Sequence, residues 1–281
     1  MFKLNNSFQT FFGVKMNDLF IIKFGGSSIT KKADNKFEMN EKILKQSAKE
    51  LSSAMKQKKM QIVLVCGVGP FGHTNVKLYD LNNGIKTDEQ MKGVEKTNKD
   101  CNFVGESTAK ALEKEGIKTK LIPGYEVCKQ NNKKIVEYDF APYEKALKEG
   151  FVPISTGIMV PDIELKWSVM SGDKVIAQTA KHFKPKMVLM GTDVDGIYTA
   201  DPKVNPKAEL IDEITRANVP KILEKVGESK SVDVTGGMKG KLEQLSEQLN
   251  GTPAEIFNLF TKGNLEKVLL GKKIKDTKIK L

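Results

Sequence analysis

Six apolar runs of strand length, at residues 19–24, 61–66, 118–122, 151–154, 187–190 and 255–259, are separated by longer stretches whose apolar residues recur at helical spacing. An apolar run that short, with no alternation of polar residues, buries both of its faces, as a central parallel strand does. Strands separated by amphipathic helices call for crossover connections. The chain is therefore expected to fold as an α/β protein, an αβα three-layer sandwich around a largely parallel central sheet.

The helical stretches carry their own signals. Ile43, Leu44, Ala48, Leu51 and Met55 fall on one face, with Asn40 placed to cap its start. Met238, Leu242, Leu245 and Leu249 form a second stripe that Gly251 would stop, and Gly116 and Gly150 end helical runs just before strands. Pro153, Gly157 and Pro161 cluster where a soft boundary is expected, near residues 155–160. The lysine-rich end after Gly263 reads as a closing strand or a loose tail. Residues 1–18 lack the basic start, long apolar stretch and cleavage site of a secretion signal, and Met16 could serve as an alternative start.

Composition narrows the class of partner. The net charge is +11, but a single arginine, Arg216, stands among the 46 basic residues, and no aromatic stacking platforms are interleaved with the lysines. Base reading leans on the guanidinium fork, so a nucleic-acid partner is not expected; the lysines read as a solvated surface whose field also attracts anionic substrates. No apolar run approaches the roughly 18 residues of a membrane span. Cys66, Cys101 and Cys128 are odd in number and widely spaced. They suggest neither disulfides nor a zinc site, and a reducing cytoplasm is expected.

Five segments carry candidate chemistry. Lys23-Phe24-Gly25-Gly26-Ser27-Ser28-Ile29-Thr30-Lys31-Lys32 leaves the first strand directly. Adjacent glycines let backbone N–H groups approach an anion, and Lys23 and Lys32 bring positive charge, although a glycine turn with solvated lysines reads the same. Cys66-Gly67-Val68-Gly69-Pro70-Phe71-Gly72-His73 follows the second strand, and its histidine either bonds a phosphate oxygen or packs locally. His182, at a helix end, is accounted for by the helix dipole and left out of the site. Asp173, in Ser171-Gly172-Asp173, is either a helix N-cap or a group that orients a lysine or holds Mg²⁺. Thr192-Asp193-Val194-Asp195-Gly196-Ile197-Tyr198 reads as a strand end and an Asp-Gly turn. Asp233-Val234-Thr235-Gly236-Gly237-Met238-Lys239-Gly240-Lys241 runs into a helix whose start can meet phosphates.

Five such segments in this order resemble the amino-acid-kinase superfamily, and within it most nearly the isopentenyl phosphate kinases, over residues 19 to 262. The resemblance implies an ATP-dependent kinase that uses Mg²⁺ and transfers the γ-phosphoryl group in line to isopentenyl phosphate. It implies catalytic roles for Lys23, Lys32, His73 and Asp173, and acceptor binding by Gly67, Gly69, Gly72, His73, Gly157 and Gly172. ATP would be held by Lys23, Gly25, Gly26, Ser27, Asp193, Asp195, Gly196, Tyr198, Gly236, Gly237 and Lys241, with no protein metal ligand assigned. Residues 1–18 become an extension, 19–157 an acceptor-binding and dimerisation lobe, and 158–281 an ATP-binding lobe. A homodimer acting on a small phosphorylated acceptor is expected. Met91, Val94, Phe103 and Val104 lie where the family builds an apolar pocket, although their helical spacing also fits plain core. The sequence departs from the family at Val68, Pro70 and Ile158, all on the acceptor side. Two alternatives stay open: a kinase of the same fold for another acceptor, such as fosfomycin or a nucleoside monophosphate, and a nucleotide-binding protein without transfer activity.

Overall fold

The strand runs pair almost where their composition places them. In the computed structural model β3 (Leu19–Phe24), β6 (Gln61–Cys66), β7 (Thr119–Leu121), β10 (Val152–Thr156), β13 (Met187–Thr192) and β15 (Ala254–Asn258) all join one sheet. The structure describes residues 18–33, 36–200, 205–222 and 251–281, with isolated positions at 10–11, 14–15, 202, 246 and 249. β14 (Glu213–Thr215) and β16 (Asp276–Lys280) complete eight strands in the order β14-β16-β15-β13-β3-β6-β10-β7. Every neighbouring pair is parallel except β15 with β16. The lysine-rich end is thus a closing strand.

Helices cover both faces of this sheet: α2 (Glu41–Gln57), α3 (Pro70–Leu78), α4 (Asp88–Glu113), α6 (Ala141–Lys148), α7 (Gly172–Phe183) and α8 (Asn264–Leu269), with one-turn helices α1 (Gly26–Ile29) and α5 (Gly124–Val127). The α2 stripe is as expected, with Ile43, Leu44, Ala48 and Leu51 buried and Met55 packed at the core margin. Asn40 holds the N-cap position but makes no side-chain cap. Its amide donates instead to the Ser28 carbonyl at 3.1 Å, tying the helix start to the loop after β3. Gly116 and Gly150 have positive φ angles of 81° and 79°, as helix stops do. The stripe through Met238, Leu242 and Leu245 lies outside the described residues; Leu249, its last member, is buried.

The apolar runs leave three small sheets unread. β4 (Thr30–Ala33) and β5 (Lys36–Met39) form a hairpin, and β1 (Thr10–Phe11) pairs with β2 (Val14–Lys15). β8 (Cys128–Asn131), β9 (Lys134–Tyr138), β11 (Ile158–Asp162) and β12 (Lys166–Met170) make a four-stranded sheet in the order β12-β11-β8-β9. Strands before residue 158 build one half of the main sheet and strands after it the other, joined where β3 pairs with β13 over five residues. The core lies along this seam: Ile21, Ile22 and Phe24 are fully buried, and the one β3 residue that is not buried is Lys23. Among the described residues no helix is long and apolar enough to cross a membrane.

Candidate functional site

Parallel strands end together, so the loops that follow β3, β6, β10 and β13 converge at the carboxyl edge of the sheet. There the loops after β3, β6 and β10, with the segment that follows β12, line a cavity of about 590 Å³. Its lining brings together Lys23, Gly26, Ser27, Gly67, Gly69, Gly72, His73, Gly157, Gly172 and Asp173, ten of the residues singled out in the sequence.

The glycines of the first two loops serve a purpose the sequence did not disclose. An ideal Cβ on Gly67 would sit 2.4 Å from the Gly26 backbone nitrogen, and one on Gly26 would sit 2.5 Å from the Gly69 nitrogen. The two loops cross backbone against backbone, so glycine is required for their mutual approach whether or not a ligand is bound. Gly69 also has a φ of +50°, and a Cβ there would meet Thr30 Oγ1 at 2.3 Å. That hydroxyl donates to the Gly26 carbonyl at 2.6 Å, fastening the crossing. Pro70 then occupies the first turn of α3, where a missing N–H breaks no helical bond. His73 is exposed one turn into α3, at the cavity wall.

Lys23 and Asp173 form an ion pair across the cavity floor, Lys23 from β3 and Asp173 from the start of α7. Asp173 is therefore not the N-cap. Ser171 takes that position, its Oγ accepting the Lys174 N–H at 3.2 Å, which frees the Asp173 carboxylate for the lysine. The pair is partly buried, with side chains 23% and 33% exposed, so each charge holds the other in place while remaining reachable from the cavity.

The loop after β13 joins the site through Ser27, whose hydroxyl donates to Asp193 Oδ1 at 3.1 Å. Burial is the largest single influence and pushes the Asp195 carboxyl up, but contacts from Lys275 at 2.9 Å and from Asn258 and Tyr198, both at 3.1 Å, together outweigh it and hold the group below its ordinary value. Gly196 packs against Thr277, where a Cβ would meet Oγ1 at 2.2 Å, and Gly25 donates its N–H to the Gly191 carbonyl at 2.8 Å. Lys275 and Asn258 were not found by sequence reasoning; both come from the β15–β16 region, brought in only by strand order.

Lys32 lies in β4 opposite Phe37, and its side chain is outside the described residues. Gly236, Gly237 and Lys241 lie outside them as well. His182 stands apart from the cavity: its Nε2 is 2.8 Å from Glu144 Oε1, and its ring stacks 3.9 Å from that of Phe140. Of the four residues expected to build an apolar pocket, none lines the cavity. Val104 is in the main core, Val94 is buried beside Met159, and Met91 packs behind them. Phe103 is 47% exposed. The α4 residues that do line it are Thr97 and Cys101, and the rest of the apolar wall is Val68, Val76, Ile158, Met159, Val169 and Met170. Half of that wall comes from β11 and β12, strands that the apolar runs did not reveal.

The model of the amino acid kinase family matches residues 18–258. An isopentenyl phosphate kinase of Methanothermobacter thermautotrophicus is 33% identical over 270 residues, spanning 93% of this chain and 98% of that protein. One from Methanocaldococcus jannaschii is 28% identical over 260 residues, spanning 90% and 95%. A solved X-ray structure of an isopentenyl phosphate kinase superposes with a TM-score of 0.78 at 30% identity, covering 93% of this chain and 99% of that one. The family model spans residues 18–258 and the Methanothermobacter relative is 33% identical over 93% of this chain, so this chain belongs to the amino acid kinase family.

Proposed function

We propose that this protein is an ATP-dependent kinase that phosphorylates isopentenyl phosphate to the diphosphate. The observation that carries this reading is the double character of one cavity. Lys23, His73 and the glycine loops share its walls with Val76, Cys101, Met159, Val169 and Met170. Cationic and N–H-rich lining suits a phosphate, and apolar lining suits an isoprenoid tail. An acceptor with both ends uses both.

In the reaction an acceptor phosphate oxygen bonds to the γ-phosphorus as the bond from that phosphorus to its bridging oxygen breaks, and ADP leaves with that oxygen. Such a transfer needs positioning and charge neutralisation rather than a protein nucleophile. Lys23, oriented by Asp173, is assigned to the charge on the transferring group, and Lys32 of the β4–β5 hairpin is assigned the same role. His73 and the backbone of Gly67, Gly69 and Gly72 hold the acceptor phosphate, with Gly157 and Gly172 shaping the space around it. A side chain on Gly157 would reach within 3.0 Å of the Gly172 nitrogen, which supports that role. Gly25, Gly26, Ser27, Gly236, Gly237 and Lys241 are assigned to ATP phosphates, and Asp193, Asp195, Gly196 and Tyr198 to the nucleotide side. Mg²⁺ would travel with ATP on its phosphate oxygens. A homodimer is part of the reading. The three buried free thiols support a reducing, cytoplasmic setting.

ADP release in the presence of ATP, Mg²⁺ and isopentenyl phosphate, dimethylallyl phosphate, fosfomycin, uridylate or glutamate tests it. Turnover with isopentenyl phosphate is expected. Turnover confined to fosfomycin or uridylate would make Val68, Pro70 and Ile158 marks of a rebuilt acceptor site and overturn the assignment.

A further inference from the structure

Half of the apolar wall of the cavity is carried by β11 and β12, in a sheet separate from the one that bears Lys23. Something must fix that wall relative to the reacting groups. At the turn between β8 and β9, Asn132 and Lys133 both have positive φ, 46° and 65°, a conformation that non-glycine residues keep only when held. The Asp162 carboxylate, at the end of β11, accepts their N–H groups at 3.0 and 2.8 Å and the Ser168 hydroxyl of β12 at 2.7 Å. The other side of the turn is held by a lysine from α7. Lys174 Nζ donates to the Lys133 carbonyl at 2.6 Å and to Gln130 Oε1 at 3.0 Å. Gln130 is fully buried and passes the connection on, its amide donating to the Val169 carbonyl at 3.3 Å.

Val169 lines the cavity, and Lys174 directly follows Asp173, the partner of Lys23. We infer that Lys174 is a positioning residue for the acceptor: it clamps the small sheet to the start of α7, so that the apolar wall and the Lys23–Asp173 pair hold a fixed separation. Neither Nζ contact goes to a carboxylate: one acceptor is the buried Gln130 side chain and the other the backbone carbonyl of the exposed Lys133. Lys174 therefore acts as a hydrogen-bonding strut between two elements, not as one half of a surface ion pair. The inference rests on the acceptor assignment above only for the choice of substrate.

The one tryptophan of the chain, Trp167, sits on β12 beside Val169 and packs with Leu81, Val94 and Met159, so its fluorescence reports on the wall without any assay of activity. Lys174→Met keeps the aliphatic stem and removes the donor. It is expected to raise KM for isopentenyl phosphate about tenfold while KM for ATP stays within about twofold, because a misplaced wall affects only the acceptor. Acrylamide quenching of Trp167 should increase, and Lys174→Arg should restore part of both. Thermal unfolding of each variant separates this from a general loss of fold, and Ser168→Ala, which loosens the same sheet from the Asp162 side, should move Trp167 quenching in the same direction. Unchanged acceptor KM together with unchanged quenching in Lys174→Met would overturn the inference, as would an equal rise of both KM values. If the wild-type protein does not use isopentenyl phosphate, the acceptor assignment falls and the quenching result alone decides the clamp: increased quenching upholds it and unchanged quenching overturns it.

Discussion

Lys23 is the only residue of its strand that is not buried, and its ammonium is aimed by Asp173 from a helix 150 positions along the chain. An electrostatic group of this kind contributes to transfer in proportion to how well it is pre-aimed. Lys23→Met is expected to lower kcat about 10²–10³-fold, and Asp173→Asn by less, with little change in melting temperature; single-turnover ADP formation checks the order. Asp162 makes a second prediction at this scale. Burial alone would raise its carboxyl, but the Ser168 hydroxyl and the N–H groups of Leu165, Lys133 and Asn132 overrule it and hold it at about 2 against an ordinary 3.8. A carboxyl depressed on folding adds stability that is complete above the unfolded value and lost as pH falls through the folded one. The acid limb of a melting-temperature curve between pH 4 and pH 2 should therefore flatten in Asp162→Asn, and that variant should lose roughly 2–3 kcal/mol at neutral pH.

At the scale of elements, the crossing of the two glycine loops decides the shape of the site. Gly67→Ala sets a methyl against backbone 2.4 Å away, which no rotamer can relieve, so the loops must separate. We expect kcat/KM to fall at least about 10²-fold with a clear loss of melting temperature. Gly150→Ala is the contrast: its φ is +79° but nothing lies within 4 Å of the added Cβ, so the cost is left-handed strain alone, about 1 kcal/mol, with activity unchanged. Differential scanning calorimetry with an ADP assay separates the two. Elements also differed in how legible they were. Six of the eight strands of the main sheet announced themselves through continuous apolar runs, whereas β14 (EIT) and β16 (DTKIK) carry charged and polar residues and have no such run. β8, β9, β11 and β12 did not, because each has polar or exposed positions and Pro161 interrupts the pattern of β11. The start of α4 was legible and overlooked: Thr87 and Gln90 form a reciprocal capping box, Thr87 Oγ1 accepting at 3.2 Å and Gln90 Oε1 at 3.3 Å.

For the whole molecule, the net charge is +11, and both ATP and the proposed acceptor are anions. Steering of this sort works at long range and is screened by salt. Raising ionic strength from about 0.05 to 0.5 M should lower kcat/KM for a phosphorylated acceptor several-fold while kcat changes little; an unchanged kcat/KM would assign the lysines to solvation alone. The sequence by itself determined six of the main-sheet strands, several of the helices packed on them and the loops that hold Lys23, the glycines and His73, because local burial pattern and backbone freedom are written residue by residue. It left open what Asp173 does, since an aspartate at a helix start reads as a cap until the lysine it faces is known. Only the tertiary structure decided that Asp173 meets Lys23, that Gly26 and Gly67 are needed for each other, that Asn258 and Lys275 reach Asp195, and that β11 and β12 supply half of the apolar wall. Each of these depends on which strands lie side by side, and strand order is fixed by packing between distant segments, which no local pattern records.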